Sequence, residues 1–432
     1  MTGLRGIARA LHSRNFRLFV AGQGFSLVGT WMQQVAMSWL VYRLTGSAIL
    51  LGVVGFSNQI PSLFFTPLAG VLADRWDRRR LLIITQCLAM LQAAILATVV
   101  IAGVVQVWHV ILLSVVLGII NAFDIPIRQS FVVLMVDRRE DLGNAIALNA
   151  SLFNAARLIG PSIAGIAVAV VGEGVCFSIN SVSFLAVVAA LAAMRLTPRP
   201  ERNYPRRVWP ELREGITYSF GFSPIRKILL LVALVALAGM SYAVLMPVFA
   251  REILHGGSQT FGFLMSSAGS GAFLSTLFLA SRRSVLGLGR VISVSVALLG
   301  IGNAVFACST YLPLSCGALA IVGFGATATM ASCNTVLQTI VDEDKRGRVM
   351  SFFSVAFNGV LPFGSLLAGT LAGTVGPRQT LLLGSLGCFA GAALFARHLP
   401  NIRKHVRPIY IRLGIIDENR TPGTEAVSHE RG

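Results

Sequence analysis

Two ionisable residues sit deep inside apolar stretches of this chain: Arg157, midway along 143–171, and Asp124, near the end of 109–128. If such stretches cross a bilayer, a charge at mid-depth costs about 2.5–3.5 kcal/mol on insertion scales, so it faces a cavity or a partner. A guanidinium there has three uses. It can bind an anion or carbonyl on a substrate path, neutralise a buried acid, or be satisfied by helix carbonyls with Asn149 or Asn154 on its own face. Asp124 has two. Four residues before Arg128, it fits an i,i+4 ion pair, and as an intramembrane carboxylate it fits a protonatable gate. At about 1.5 Å rise per residue the two lie at different depths, and nothing pairs them with each other.

The other polar side chains of the apolar stretches are uncharged: Gln33 and Gln34, Asn58 and Gln59, Gln92, Asn121, Asn154, Asn180, Tyr242, Asn303, Asn334, Gln338 and Asn358. Such groups serve as helix–helix hydrogen bonds or line a polar cavity. Trp31 and Tyr242, with 26 phenylalanines, give the interior an aromatic character suited to an amphiphilic small molecule. No GxxxxGK[ST] loop for nucleotide and no HExxH or GxSxG site occurs, and no acid, base and nucleophile form a set, so an enzyme is not expected. Six scattered cysteines lack metal-ligand spacing and read as small packing residues, with no cofactor or metal implied.

These residues must be carried by membrane-spanning helices. Of 432 residues, 55% are hydrophobic and only 12% charged, with a mean hydropathy of +0.73, whereas soluble domains carry about 25% charge. Apolar stretches near 20 residues recur from end to end, the length needed to cross about 30 Å of hydrocarbon, and lipid requires them to be helical. Hydropathy places twelve, from 16–41 to 379–398, without a cleavable leader. The net charge of +18 is a topology signal. Of the 36 Lys and Arg, all but Arg43, Arg157, Arg251 and Arg378 fall on alternate loops and the two ends. That puts both termini in the cytoplasm and argues against nucleic acid.

Two halves share a layout offset by about 205 residues: Gly118 matches Gly323, Val136-Asp137 matches Val341-Asp342, and Gly160-Pro161 with Gly165 matches Pro362 with Gly364 and Gly369. The expected organisation is a six-helix half over 1–196, a cytoplasmic linker with an amphipathic segment over 197–224, a second half over 225–398 and a cytoplasmic tail over 399–432. The fold class is an all-α integral membrane protein, twelve transmembrane helices in two six-helix bundles.

At the end of the second stretch the chain reads Gly70-Val-Leu-Ala-Asp74-Arg75-Trp-Asp77-Arg78-Arg79-Arg80. This resembles the GxLaDrxGRkxxl signature of the major facilitator superfamily, with Asp77 where that pattern has glycine. The resemblance implies the major facilitator fold and a cytoplasmic gate formed by Gly70, Asp74, Arg75, Arg78 and Arg79. Gly160, Pro161 and Gly165 resemble the GPxxxG element in span five of exporting members, a close-packing, bending element. The segments Asn15–Phe19, Trp31–Gln33, Leu44–Ser47, Asp124–Gln129 and Ala147–Asn149 resemble the branch containing the enterobactin exporter and transmembrane secretion effectors. The family arrangement would line a central cavity with spans one, four, seven and ten. Trp31, Gln33, Asn121, Tyr242 and Asn334 are then substrate or coupling candidates beside Arg157, Asp124 and Asn154.

The implied function is a secondary transporter of a bacterial inner membrane. It exports an amphiphilic compound, siderophore-like or a drug, by alternating access, as a monomer in contact with lipid. Protons are the candidate coupling ion, although Ser114 stands where many drug–proton antiporters have arginine. Uptake or lipid flipping on the same fold, and a non-transporting receptor or scaffold, remain as alternatives.

Overall fold

The computed structural model describes residues 9–195, 217–282 and 284–416; the side chains of Gly70, Val71, Ala73, Asp74, Arg75 and Arg139 lie outside that description, as does most of the expected linker. Every regular element among the described residues is a helix. They are α1 (Arg14–Thr45), α2 (Ala48–Arg75), α3 (Arg78–Ile101) and α4 (Val107–Phe131). Leu142–Ala193 is a 52-residue helix interrupted at Gly172 (φ 81°, ψ 168°), a conformation open to glycine alone, and its limbs 142–171 and 173–193 are α5 and α6. The second half holds α7 (Ser223–Ile253), α8 (Ser258–Ser281), α9 (Leu288–Cys308), α10 (Leu312–Ile340), α11 (Glu343–Thr374) and α12 (Pro377–Arg412).

Among the described residues, ten helices, with Leu142–Ala193 counted once, are long and apolar enough to cross a membrane. The 32-residue α1 is long enough but stands outside the ten, consistent with its Gln23, Gln33 and Gln34. Local chemistry sets the boundaries. Gly46 closes α1 in the left-handed conformation, its N–H donating to the Tyr42 carbonyl, and the Ser47 hydroxyl caps α2. Asp77, the departure from the superfamily pattern, N-caps α3: its carboxylate accepts the Arg80 N–H at 2.8 Å. At three places the α-ladder widens into a π-turn, over Val235–Gly239 and Phe249–Ile253 in α7 and Val355–Gly359 in α11. Such turns occur frequently at functional sites. Asn303 of α9 donates to the carbonyl of Gly239 at 3.0 Å.

In the first half α1 packs on the α5–α6 helix, α3 on α6 and on α4, and α2 on α4; in the second, α10 packs on α8 and α9, and α9 on α12. A buried polar chain knits the first half. Asn180 (α6) donates to Gln33 (α1), Gln33 to Gln92 (α3) at 2.9 Å, and Gln92 to the Leu113 carbonyl (α4) at 3.1 Å. With every amide partnered, this chain orients four helices, and its hydrogen bonds offset the cost of burying three amides. Gln33 therefore packs the bundle instead of lining a central cavity. The expected tail boundary at 398 also falls inside a helix, because α12 continues to Arg412 with Leu399, Ile402, Val406 and Tyr410 buried.

Candidate functional site

The halves meet along two helix pairs, α5 on α8 and α2 on α11, and both contacts are glycine-built. A Cβ at Gly165 would lie 2.5 Å from the Ser258 carbonyl oxygen, and one at Gly262 2.5 Å from that of Pro161. In the other pair a Cβ at Gly52 would lie 2.7 Å from the Ser365 carbonyl oxygen, and one at Gly369 2.7 Å from that of Ala48. The two contacts correspond under the internal repeat, Gly165 to Gly369 and Gly52 to Gly262. Hydrogen bonds follow the same lines: Ser258 Oγ donates to the Gly165 carbonyl at 3.0 Å, Ser162 Oγ to Ser266 Oγ at 2.7 Å, and Gln59 to Ser365 Oγ at 3.4 Å. The GPxxxG element thus sits at the seam between halves, while Gly160 accommodates the Trp31 side chain of α1.

These contacts run from mid-helix to the end of the bundle opposite the described termini. There the Tyr42 hydroxyl (α1) donates to the Glu252 carboxylate (α7), and the Trp39 and Phe261 rings stack with centroids 6.4 Å apart, both joining the halves. Arg43 pairs with Glu173 at 2.8 Å. A cavity of roughly 500 Å³ between Trp39, Arg43, Glu173 and the start of α8 leaves this far end incompletely filled. Sequence reading counted Arg43 as a topological exception and passed over Tyr42, Glu173 and Glu252. The signal was present as acids at the ends of apolar stretches.

Arg157 lies at the innermost glycine contact of this seam. Its carbonyl oxygen is the atom a Cβ at Gly269 of α8 would meet at 2.6 Å, at the midpoint of both helices. Its side chain is half-buried, and no hydrogen bond or ion pair is assigned to it. Tyr242, buried in α7 just beyond the first π-turn, lies within its electrostatic reach. The Asn154 amide nitrogen donates to the Ala150 carbonyl at 2.9 Å on its own helix. Trp31 lies beside Phe153 with centroids 6.3 Å apart.

Asp124 is elsewhere and fully engaged. Buried between α3 and α4, its carboxylate accepts from Thr85 Oγ1 at 2.9 Å, from Gln86 Nε2 at 2.7 Å and from Arg128. The i,i+4 pair is present, with two further donors. Asn334 accepts from Gln338, four residues on in α10, and Asn121 is half-buried in α4.

At the terminal end, Arg79 donates to the Ala192 carbonyl, tying the start of α3 to the end of α6, and Arg78 opens α3. The side chains of Gly70, Asp74 and Arg75, the rest of the expected gate, lie outside the described residues. In the second half Asp342 binds Arg412 at 3.0 Å. Burial, and then the Asp342 charge, hold the Tyr218 phenol above its ordinary range.

A family model described as transmembrane secretion effector matches residues 8–408. The staphyloferrin A transporter of Staphylococcus aureus is 27% identical over 369 residues, 84% of this chain and 91% of that one. The multidrug efflux pump Tap of Mycolicibacterium fortuitum is 26% identical over 392 residues, 89% and 93% of the two chains. Macrolide efflux protein A of Streptococcus pyogenes is 23% identical over 374 residues, 84% and 90%. Among solved structures, the POT family transporter PepTSo superposes with a TM-score of 0.72 at 14% identity, covering 91% of this chain and 99% of its own. A bacterial homologue of the iron transporter ferroportin, in an inward-facing state, gives 0.67 at 16% identity, with 89% and 98% covered. At those identities the superpositions establish the fold alone. Because the family model spans nearly the whole chain, the chain belongs to the transmembrane secretion effectors of the major facilitator superfamily, as a multi-pass bacterial inner-membrane transporter of efflux type and not an enzyme.

Proposed function

We propose that this protein exports an amphiphilic small molecule, siderophore-like or a drug, by alternating access. Twelve crossings would place both termini in the cytoplasm, α1 being the first and Gly172 dividing the long helix into two. The basic residues on alternate loops support that orientation. The carrying observation is the distribution of contacts between the halves: two symmetric glycine seams and the Tyr42–Glu252 and Trp39–Phe261 contacts hold them from mid-helix to the far end. With that end outside, this is the state closed to the exterior. Substrate would enter from the cytoplasm as far as Arg157, and rocking would break the far seam and release it.

The names of the efflux relatives support the direction. For proton coupling, Asp124 is a poor carrier because three donors hold it between α3 and α4, and Glu252, which must part from Tyr42 when the far end opens, is the better candidate. Everted membrane vesicles loaded with protein provide the test. With an imposed gradient they are expected to accumulate an efflux substrate such as erythromycin or an iron-free siderophore. Accumulation only in right-side-out vesicles, or in neither, refutes export of those compounds.

A further inference from the structure

We infer that the transported substrate is an anionic amphiphile whose carboxylate-type head is held by Arg157, with Tyr242 facing it from the other half. This rests on the export reading and deepens it. A charge at the centre of a span demands compensation, and the buried acids of the first-half helices have theirs. Asp124 is held by Thr85, Gln86 and Arg128, and Glu173 by Arg43. Glu252, at the far end of α7, takes the Tyr42 hydroxyl. Arg157 alone among these is half-buried without a hydrogen bond or ion pair.

Its position is as informative as its solitude. Gly269 packs against the Arg157 carbonyl at the innermost glycine contact of the α5–α8 seam, so Arg157 sits at mid-depth on a helix that forms the interface between the halves. Tyr242 approaches from α7, directly after a π-turn. A guanidinium presents a planar fork that a carboxylate fits with two parallel hydrogen bonds, and a phenol adds a third donor. An anion there would touch both halves at once, which is the placement that lets a substrate bias rocking. Trp31 and Phe153, one turn away on α1 and α5, offer a ring surface for the apolar part.

The test uses two xanthene dyes that share an aromatic frame and differ in charge, carboxyfluorescein (anionic) and rhodamine 6G (cationic), with full-length protein in lipid nanodiscs. Fluorescence anisotropy is expected to show carboxyfluorescein bound more tightly than rhodamine 6G. Arg157→Gln should weaken carboxyfluorescein about tenfold or more, Arg157→Lys should retain part of the binding, and Arg157→Glu should reverse the preference. Tyr242→Phe should weaken carboxyfluorescein several-fold and leave rhodamine 6G unchanged. Melting curves of each variant separate lost binding from lost folding. No carboxyfluorescein binding by the wild type, or equal binding by wild type and a folded Arg157→Gln, overturns the inference. The same dyes in everted vesicles separate the two readings. Accumulation of both dyes indifferent to Arg157 refutes the anion site and leaves export standing, whereas Arg157-dependent binding without movement of either dye refutes export and leaves the site standing.

Discussion

Removing the Asp124 carboxylate leaves Arg128, Thr85 and Gln86 facing a void between α3 and α4, and breaking a buried pair from one side costs about 3–5 kcal/mol. Asp124→Ala is therefore expected to lower the melting temperature in detergent sharply. Asp124→Asn, whose amide oxygen can still accept from Thr85 and Gln86, should lose much less and keep transport. If Asp124→Asn instead abolishes transport in a protein of normal stability, Asp124 is a coupling residue after all. Tyr42→Phe tests the opposite end. It deletes one hydrogen bond between the halves, worth about 1.5 kcal/mol at the low end for a charged acceptor. The open far end should gain roughly tenfold in population, read as faster labelling by an impermeant maleimide of a cysteine introduced at the buried seam residue Ser258. Residue types alone carried part of this. Spacing made the Asp124–Arg128 pair legible, whereas the two α3 donors come from a different helix at no fixed sequence distance.

At the scale of helices, the glycine seams are hinges and seals together. A branched side chain at Gly165 or Gly369 has no room against the facing carbonyl, 2.5 and 2.7 Å from the would-be Cβ. Neither position is in the interior of a single half, so the strain can be relieved by parting the halves. Gly165→Val and Gly369→Val are expected to fold, to shift the population toward the far-end-open form, and to slow transport. Distances between spin labels on α5 and α8 would measure the shift, and unaltered distances would show that the seam yields by side-chain adjustment only. The GPxxxG element was visible in sequence as a packing signal, but its partner was not, because α8 offers Ser258, Gly262, Ser266 and Gly269 in a pattern common to many spans. Asp77 was visible as a departure from the superfamily pattern, and only the helix start at Arg78 reveals it as an N-cap.

For the whole molecule, alternating access requires the seams to open. Ser162 and Ser266 hold their hydroxyl oxygens 2.7 Å apart across the halves, close enough for cysteines there to form a disulfide. The Ser162→Cys, Ser266→Cys double variant is expected to lose transport under oxidation and recover it with reductant, while binding of substrate from the cytoplasmic side persists. Transport that survives complete oxidation would mean the halves do not part at this seam.

The sequence by itself determined that this is a helical membrane protein, how its charged loops alternate, and that it resembles the superfamily to which it belongs. Each of those depends on composition or local spacing, which lipid and the membrane potential read directly. Tertiary structure decided the roles of the polar residues. It sent Gln33 and Asp124 into the packing of the first half, made Tyr42 and Glu252 a contact between the halves, and left Arg157 half-buried at mid-helix beside the seam, without a hydrogen bond or ion pair. The reason is physical: whether a buried polar group is structural or available depends on the donors and acceptors that neighbouring helices bring to it, and those come from distant parts of the chain.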